Sequence, residues 1–368
     1  MKLYQHIISA ALLLMTAVFS VQATETEKKL SLAYDAGFEM NFDNREYYRS
    51  SFSRSMTIFA GRLTPSVDIS FKQDETTGHR LMIGADVMKD FGAPDAELLS
   101  EIVFHYTLEK HLGNTGLRIS AGVMPRSWML DNYSEAFISD SLAFYDNNIE
   151  GLLIQVRRPS AEFELGCDWM GQYGQDSRER FMIFSSGEAR LSSFISLGYA
   201  AHMYHFANSY TQKGVVDNIL LNPWVKLELA HMANMQDLSV RAGYLQGFQH
   251  DRAKSEFFAY PCGLELDVEA RKWNFGVQNK LFYGTDMMPY YNTSDNTGEK
   301  YGTRLYFGDP FYRIHDDGSS SPGVYDRVQM FYEPSFGKWL KIRIAAMFHF
   351  HGAGYSGCSQ QVVLKFNL

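Results

Sequence analysis

Apolar and polar residues alternate along most of this chain with a period of two. Between residues 57 and 72, one parity carries Phe59, Leu63 and Val67, and the other parity carries Arg62. Successive side chains of a β-strand point to opposite faces, so this alternation predicts a strand with one apolar and one polar face.

The same pattern recurs over the rest of the chain, although two of the segments, 179–190 and 219–232, alternate poorly. Including an opening strand, the count is sixteen. The predicted strands lie near residues 30–40, 57–72, 80–88, 101–109, 117–123, 152–156, 162–169, 179–190, 193–206, 219–232, 238–250, 257–270, 273–287, 324–336, 339–350 and 362–368.

The connections between these segments alternate between short and long. The short ones are 74–78, 113–116, 159–160, 233–236, 271–272 and 337–338, and the longer ones are 41–56, 130–147, 207–218 and 288–323. Outer-membrane barrels have short turns on the periplasmic side and longer loops outside. An even number of strands places both ends of the chain on the periplasmic side.

Two all-β architectures fit an alternating chain, a transmembrane barrel and a large secreted sandwich or propeller. In hydrocarbon every backbone N–H and C=O needs an internal partner, and a sheet provides this only by closing on itself. No repeat with a propeller blade signature occurs. We therefore predict an antiparallel up-and-down transmembrane barrel. Aromatic residues near strand ends are the predicted interfacial girdle: Phe91, Trp128, Tyr173, Trp224 and Trp273.

The N-terminus has the organisation of a secretory signal peptide. Lys2 precedes an apolar stretch at 7–21, and a small-x-small cleavage site ends at Ala23. The prediction is a signal peptide over 1–23 and a barrel over 24–368. The alternative is a single N-terminal membrane anchor, but the stretch is shorter than the roughly 20 residues that a spanning helix needs.

The amino-acid composition favours a membrane protein and argues against a nucleic-acid-binding protein. Aromatic residues make up 15% of the chain, which favours strands and water–lipid interfaces, and a net charge of −8 argues against nucleic-acid binding. The three cysteines, Cys167, Cys262 and Cys358, are too few and too far apart for a disulfide scaffold. They share the apolar parity of their strands, so we expect small lipid-facing residues and not metal ligands.

These features together resemble those of a known class of proteins. The predicted signal peptide, the sixteen segments and a last strand with alternate apolar residues and Phe366 are similar to Gram-negative outer-membrane β-barrels of the porin type. The high Tyr and Phe content and the run at 144–151 resemble porin-like proteins of Bacteroides-type bacteria. The chain departs from the common pattern because it ends in Leu368, where typical barrels end in Phe. The resemblance implies the outer membrane as the location.

Motifs for chemistry are almost absent. Glycines at 352–357 match G-x-G-x-x-G, but the chain is too short after them for a dinucleotide site. Ser120, His105 and Glu101 are candidates for a hydrolase trio on neighbouring lumen faces, yet nothing in their spacing selects them. We therefore expect no enzyme, no bound metal and no cofactor.

The predicted function therefore depends on the side chains that line the inside of the barrel. A sixteen-stranded barrel is wide enough for a water channel. Its predicted lining is Arg62, Arg80, Arg118, Arg126, Arg157, Lys280, Lys341, Arg343, Asp68, Glu101 and Glu164. In porins the third outer loop folds inward, so the resemblance implies a constriction at 130–147, with Asp131, Glu135, Asp140 and Asp146. Facing charges would form a transverse field. The alternative is that these charges are simply solvated or paired with one another.

The resulting hypothesis is passive or facilitated diffusion of small hydrophilic solutes through an outer-membrane pore. The alternative is a non-conducting barrel that acts as an accessory or scaffold in an outer-membrane complex. The expected partners are membrane lipid, small polar solutes and, as a possibility, further copies of the chain or an outer-membrane complex, but no nucleic acid. Residues 289–322 are predicted to form a mobile surface loop, and the alternative is that they contact a partner or a surface glycan.

Overall fold

The structure is a computed structural model that describes residues 30–48, 50, 52–93, 99–315, 319, 321–352 and 354–367. The predicted signal peptide lies outside the described residues. Sixteen long strands and one short one form a single sheet. They are β1 (Leu30–Tyr47), β2 (Met56–Lys72), β3 (Thr77–Asp90), β4 (Leu99–Leu112), β5 (Thr115–Pro125), β6 (Asn148–Arg158), β7 (Ala161–Gly171), β8 (Arg180–Arg190), β9 (Ile195–Phe206), β10 (Val216–Glu228), β11 (Asp237–Asp251), β12 (Cys262–Lys272), β13 (Phe275–Gly284), β14 (Gly323–Tyr332), β15 (Ser335–Phe336), β16 (Leu340–His351) and β17 (Gly354–Asn367).

The sheet closes on itself. Each long strand pairs antiparallel with the next one, and β1 pairs with both β2 and β17, for example at Gly37 opposite Asn367. Closure gives the backbone groups of the first and last strands partners in the same sheet, as a barrel in lipid requires. The prediction of an antiparallel barrel of about sixteen strands is confirmed.

The alternation along the strands separates two faces of the wall. On β4, Ile102, Phe104 and Tyr106 are exposed on the outside of the barrel, whereas His105 and Thr107 are buried inside. The outward row is the one that contacts lipid, and the inward row supplies the polar lining.

Loops and turns lie at opposite ends of the barrel. Short turns such as 113–114 and 159–160 define the turn end, and longer connections define the loop end. We call residues 126–147 loop L3 and residues 285–322 loop L7. Two short helices occur in the connections, α1 (Asp140–Tyr145) within L3 and α2 (Ala230–Ala233) at the turn end. No helix of the described residues is long and apolar enough to cross a membrane.

Two of the five predicted girdle aromatics lie inside the barrel. Trp128 packs edge-on against the His105 ring with their centroids 4.6 Å apart, and Trp224 is buried on the inward row of β10. The girdle prediction is wrong for both. Trp128 follows the strand into L3, and Trp224 has the inward parity, which its position near a strand end does not reveal. The three cysteines are free and lie on the outward row of their strands.

Candidate functional site inside the barrel

Loop L3 runs into the barrel and is anchored there by charge. The Glu135 carboxylate lies 2.5 Å from the Arg327 guanidinium on β14 and 3.0 Å from Lys280 Nζ on β13. Arg327 is buried, so the pair is largely removed from water. Burial raises the pKa of Glu135, but Arg327 and Lys280 outweigh this effect and hold that pKa well below its usual range.

Loop L7 packs directly against L3. The Ser139 N–H donates to the Phe307 carbonyl at 2.8 Å, and the Asp309 N–H donates to the Glu135 carbonyl at 2.8 Å. Gly308 lies so close to Ala136 that a Cβ atom there would be 2.1 Å from the Ala136 carbonyl oxygen. Only glycine permits this approach of two backbones.

A single carboxylate joins both loops to the wall. Glu265 of β12 accepts hydrogen bonds from Ser134 Oγ of L3 and Tyr312 OH of L7, each at 2.5 Å. Its other oxygen accepts from Asn222 Nδ2 of β10 at 3.2 Å. All three partners are neutral donors, so this buried carboxyl group has no cation in direct contact among the described residues.

Aromatic side chains fill the space beside these polar contacts. The Phe311 ring of L7 stacks on His349 at 4.3 Å and lies 5.3 Å from the Tyr325 ring. Tyr301, Leu305, Tyr306, Tyr312 and Ile314 of L7 belong to the same buried cluster. The prediction that 289–322 is a mobile surface loop is wrong for its described part, because this part supplies buried core. Asp316, Asp317 and Gly318 of that range lie outside the described residues.

We call L3 and L7 together the plug. The plug contacts β1 through Arg45 and Ser141, β7 through Glu164 and the Leu130 N–H, and the opposite wall through Lys280. The plug therefore reaches across the loop-end half of the bore.

Most of the predicted cationic lining is paired. Arg62 lies 2.9 Å from Asp86, and Arg80 forms two hydrogen bonds to Asp68 at 2.7 and 2.6 Å. The other pairs are Arg118 with Glu109 at 3.6 Å, Arg126 with Asp168 at 2.9 Å, Arg157 with Glu162 at 3.9 Å, and Lys341 and Arg343 with Glu333 at 3.1 and 3.0 Å.

The predicted acids divide by location. Glu101 accepts from Asn148 Nδ2 at 2.7 Å, and buried Glu164 accepts from the Leu130 N–H and from Gln155 at 2.9 Å. Within L3, Asp131 is exposed, Asp140 begins α1, and Asp146 lies 3.3 Å from Arg126, while Glu135 anchors the loop as described above. L3 lies inside the bore, and its role as a selectivity constriction stays a prediction.

Sequence reasoning missed Arg327 and Glu265, the wall residues that hold the plug. Both lie on the inward parity of their strands, which is the only local signal that they carry. The partner of Arg327 is 192 residues away in the chain, so no spacing rule could have paired it with Glu135.

In the turn-end half of the bore, several charged side chains are solvated. Side-chain exposure reaches 59% for Arg157, 57% for Glu109 and 53% for Lys341. We call this part of the bore, on the turn-end side of the plug, the vestibule. Its solvated residues Arg157, Glu109 and Lys341 include both signs of charge.

The serine, histidine and glutamate trio is not assembled. Ser120 Oγ lies 3.0 Å from Thr107 Oγ1, which lies 3.4 Å from His105 Nδ1, but Glu101 is engaged by Asn148. The described residues contain no group of three or more His, Cys, Asp or Glu side chains that could hold a metal ion.

A small pocket with both polar and apolar lining lies near the loop end of β1, between the wall and α1. It has a volume of about 30 Å³ and is lined by Asn41, Asp43, Arg45, Asp140 and Ser141, among others. Asp43 is buried, and its Oδ1 atom has no hydrogen-bond partner among the described residues. Its Oδ2 atom lies 2.7 Å from Arg45, whose Nη2 donates to Ser141 Oγ at 3.1 Å.

Solved outer-membrane proteins share this fold. OmpT of Vibrio cholerae is 9% identical with a TM-score of 0.56, over 94% of this chain and all of that chain. A loop-deletion mutant of the same protein is 10% identical with a TM-score of 0.55, over 92% of this chain and 99% of that chain. OprD of Pseudomonas aeruginosa is 10% identical with a TM-score of 0.47, over 92% and 95%.

These likenesses concern the fold alone: the chain has the closed antiparallel β-barrel fold of these outer-membrane proteins. No curated protein sequence matches the chain.

A family model gives the more specific result. The model of the lipid A 3'-O-deacylase-type family matches residues 22–304, which is most of the chain. That family takes its name from an enzymatic activity, so the prediction that the chain is not an enzyme is wrong. Short catalytic motifs are local in the sequence, whereas a barrel can assemble a site from residues that are far apart in sequence. This outer-membrane barrel belongs to the lipid A 3'-O-deacylase-type family.

Proposed function

We propose that the protein hydrolyses an ester-linked acyl chain of a lipid A-type glycolipid at the loop end of the barrel. The observation that carries this proposal is the family match over residues 22–304. The plug supports it, because a bore crossed by L3 and L7 is better suited to holding a site in place than to free diffusion.

The pocket between β1 and α1 offers the groups that ester hydrolysis needs. A volume of about 30 Å³ accommodates a water molecule when polar partners surround it. The free Oδ1 atom of Asp43 faces no competing donor among the described residues, so it can accept a proton from that water. Water is the only co-reactant in this scheme.

The Arg45 guanidinium provides the electrostatic part of the reaction. Water attacks the ester carbonyl carbon while its proton moves to Asp43, and the negative charge that develops on the carbonyl oxygen lies beside Arg45. The carbon–oxygen bond to the sugar then breaks, and Asp43 returns the proton to the sugar oxygen. The products are a fatty acid and a sugar hydroxyl group. Ser141, held by Arg45, is a positioning residue in this scheme.

The location of the pocket favours it over the other polar cluster. Ser120, Thr107 and His105 also lie within the matched residues, but they lie on the inner wall near the middle of β4 and β5. Lipid A is anchored in the outer leaflet, which is at the loop end of the barrel. The Asp43 pocket is at that end.

Mass spectrometry of lipid A incubated with purified protein tests the proposal. The expected result is loss of one ester-linked acyl chain, and Asp43→Asn should reduce the rate by about 100-fold or more. The matched control is Asp35→Asn, an exposed position on the same strand towards the turn end, which should leave the rate within twofold. An Asp43→Asn variant with full activity would refute the assignment. Loss of activity in Ser120→Ala but not in Asp43→Asn would instead place the catalytic site at the cluster of Ser120, Thr107 and His105.

Diffusion of small polar solutes is a second candidate function, and the solvated charges of the turn-end vestibule favour it. Arg157 and Lys341 are the most exposed of the cations predicted to line a pore. A stable current from the wild-type protein in a planar bilayer would support this candidate. Silence from folded protein would instead support a non-conducting barrel. The transported solute and any assembly of several copies stay predictions.

A further inference from the structure

A second cavity lies at the loop end, on the side of the barrel opposite the Asp43 pocket. It has a volume of about 360 Å³ and lies between the connections 172–179, 207–215 and 252–261. These connections join β7 to β12, which are far from β1 in the strand order. Its lining includes Tyr173, Asn208, Tyr210, Lys213 and Arg252.

The walls of this cavity are held in a fixed arrangement by a buried guanidinium. Arg178 donates to the carbonyl oxygens of Ala207 at 3.0 Å and Gly214 at 3.2 Å. It also lies 3.3 Å from Asp295 of L7. A second bond, from Asn296 Nδ2 to the Lys213 carbonyl at 2.6 Å, fixes the lining residue itself. The cavity is therefore formed before any ligand arrives, which reduces the entropy lost on binding.

The cationic groups of the cavity point to an anionic ligand. Lys213 is exposed and forms no ion pair with any residue that the structure describes. Arg252 is exposed and lies 2.7 Å from Asp217, so this pair is close to neutral while leaving guanidinium N–H groups available. Lysine and arginine side chains so arranged are suited to phosphate oxygens.

The aromatic groups point to a sugar attached to a lipid. The rings of Tyr173 and Tyr210 are 4.7 Å apart, and Tyr210 is 68% exposed. Such rings combine a flat apolar face with a polar hydroxyl group. In the same connection as Arg252 and Ala253 of the lining, Phe257 is 77% exposed, and Phe258 packs against His250 on the outward row of β11. Exposed aromatic residues at this level anchor a barrel at the lipid interface.

We propose that this cavity binds the phosphorylated sugar headgroup of an outer-leaflet glycolipid, with the acyl chains lying along the Phe257 and Phe258 surface. The headgroup chemistry alone would also fit a free sugar phosphate. The exposed aromatic surface beside the cavity favours the lipid-linked form. The site is separate from the Asp43 pocket and does not depend on the hydrolysis proposed there.

Equilibrium binding to the full-length protein in detergent tests the proposal. The probes are lipid A with two phosphates, the same lipid without phosphates, and glucosamine 1-phosphate. We expect the double variant Lys213→Ala, Arg252→Ala to weaken binding of phosphorylated lipid A by about tenfold or more. The matched control is Lys338→Ala, Arg157→Ala at the turn end, which should change the Kd less than twofold.

Each outcome decides a different point. Unchanged binding by the double variant overturns the site. Equal affinity for glucosamine 1-phosphate and for phosphorylated lipid A overturns the lipid assignment. A Phe257→Ser variant that weakens binding of the lipid but not of the sugar phosphate supports it. The Lys213→Ala, Arg252→Ala variant should hydrolyse saturating lipid A at the wild-type rate, so failure of hydrolysis and failure of this site are told apart.

Discussion

The two halves of the bore contain the same kinds of charged residue in opposite environments. At the loop end, Glu135 and Arg327 are enclosed by the plug and meet at 2.5 Å. At the turn end, Arg157 and Glu162 are 3.9 Å apart and solvated. Arg327, Arg157 and Glu162 lie on the inward rows of their strands, and Glu135 comes from L3. Whether a loop covers the row therefore decides how strongly its charges interact.

The difference matters because coupling between charges grows as water is removed. A buried pair that loses one member leaves an uncompensated charge, whereas a solvated pair loses little. We expect mutations to have large effects in the plug and small effects in the vestibule.

The largest effect is expected for Glu135→Ala. Removal of this carboxylate leaves Arg327 and Lys280 without their shared partner, which we expect to cost about 3–5 kcal/mol of stability. The measurement is the free energy of unfolding in urea. Proteolysis of L3 and single-channel recording on the same samples should show a released loop and a new current.

The matched control is Asp131→Ala, which removes an exposed acid from the same loop. It should change the free energy of unfolding by less than about 0.5 kcal/mol. Equal stability of the two variants would show that Glu135 does not anchor the plug.

An intermediate effect is expected from pH, with opposite signs at the two ends. Burial raises the pKa of Asp286 in L7 to about 6, so its protonated form stabilises the fold fully below about pH 4 and this contribution is lost as pH rises through 6. At about 1.4 kcal/mol per pKa unit, the change is at most about 3 kcal/mol. Hydrogen bonds from Thr76 lower the pKa of Asp74, in a turn, to about 2, so its contribution is present above about pH 4 and is lost as pH falls through 2.

Urea unfolding of the wild type and of Asp286→Asn between pH 4 and pH 8 measures this effect. The variant should show a flatter dependence over pH 4 to 6, because asparagine does not titrate. Asp74→Asn should leave that range unchanged. Parallel curves for the wild type and Asp286→Asn would contradict the assignment.

The smallest effect is expected for Arg157→Ala in the vestibule. Its ion pair is long and its side chain is 59% exposed, so we expect a change below about 0.5 kcal/mol in the free energy of unfolding. A loss comparable to that of Glu135→Ala would show that the vestibule is not solvated in the way described here.

The fold was readable from the sequence because its signal is local. Neighbouring side chains of a strand face opposite ways, so Ile102 and His105 reveal their faces by parity alone. The inward position of Trp224 follows the same rule. The girdle prediction is wrong for this residue because it uses nearness to a strand end and not parity.

The enzyme assignment shows where local motifs fail. Asp43 and Ser141 line one pocket although they belong to β1 and to a helix inside L3. No short motif spans that separation. The similarity to the family extends over residues 22–304, so it includes residues that no short motif joins.

By itself, the amino-acid sequence determined the strands, their two faces and the two ends of the barrel, since these depend on residues that are adjacent or nearly so. The tertiary structure alone decided that L7 is buried, that Glu135 meets Arg327, and that Glu265 joins two loops. Closing the sheet brings its opposite walls within reach of the same loops, and contacts made across that bore leave no periodic trace along the chain.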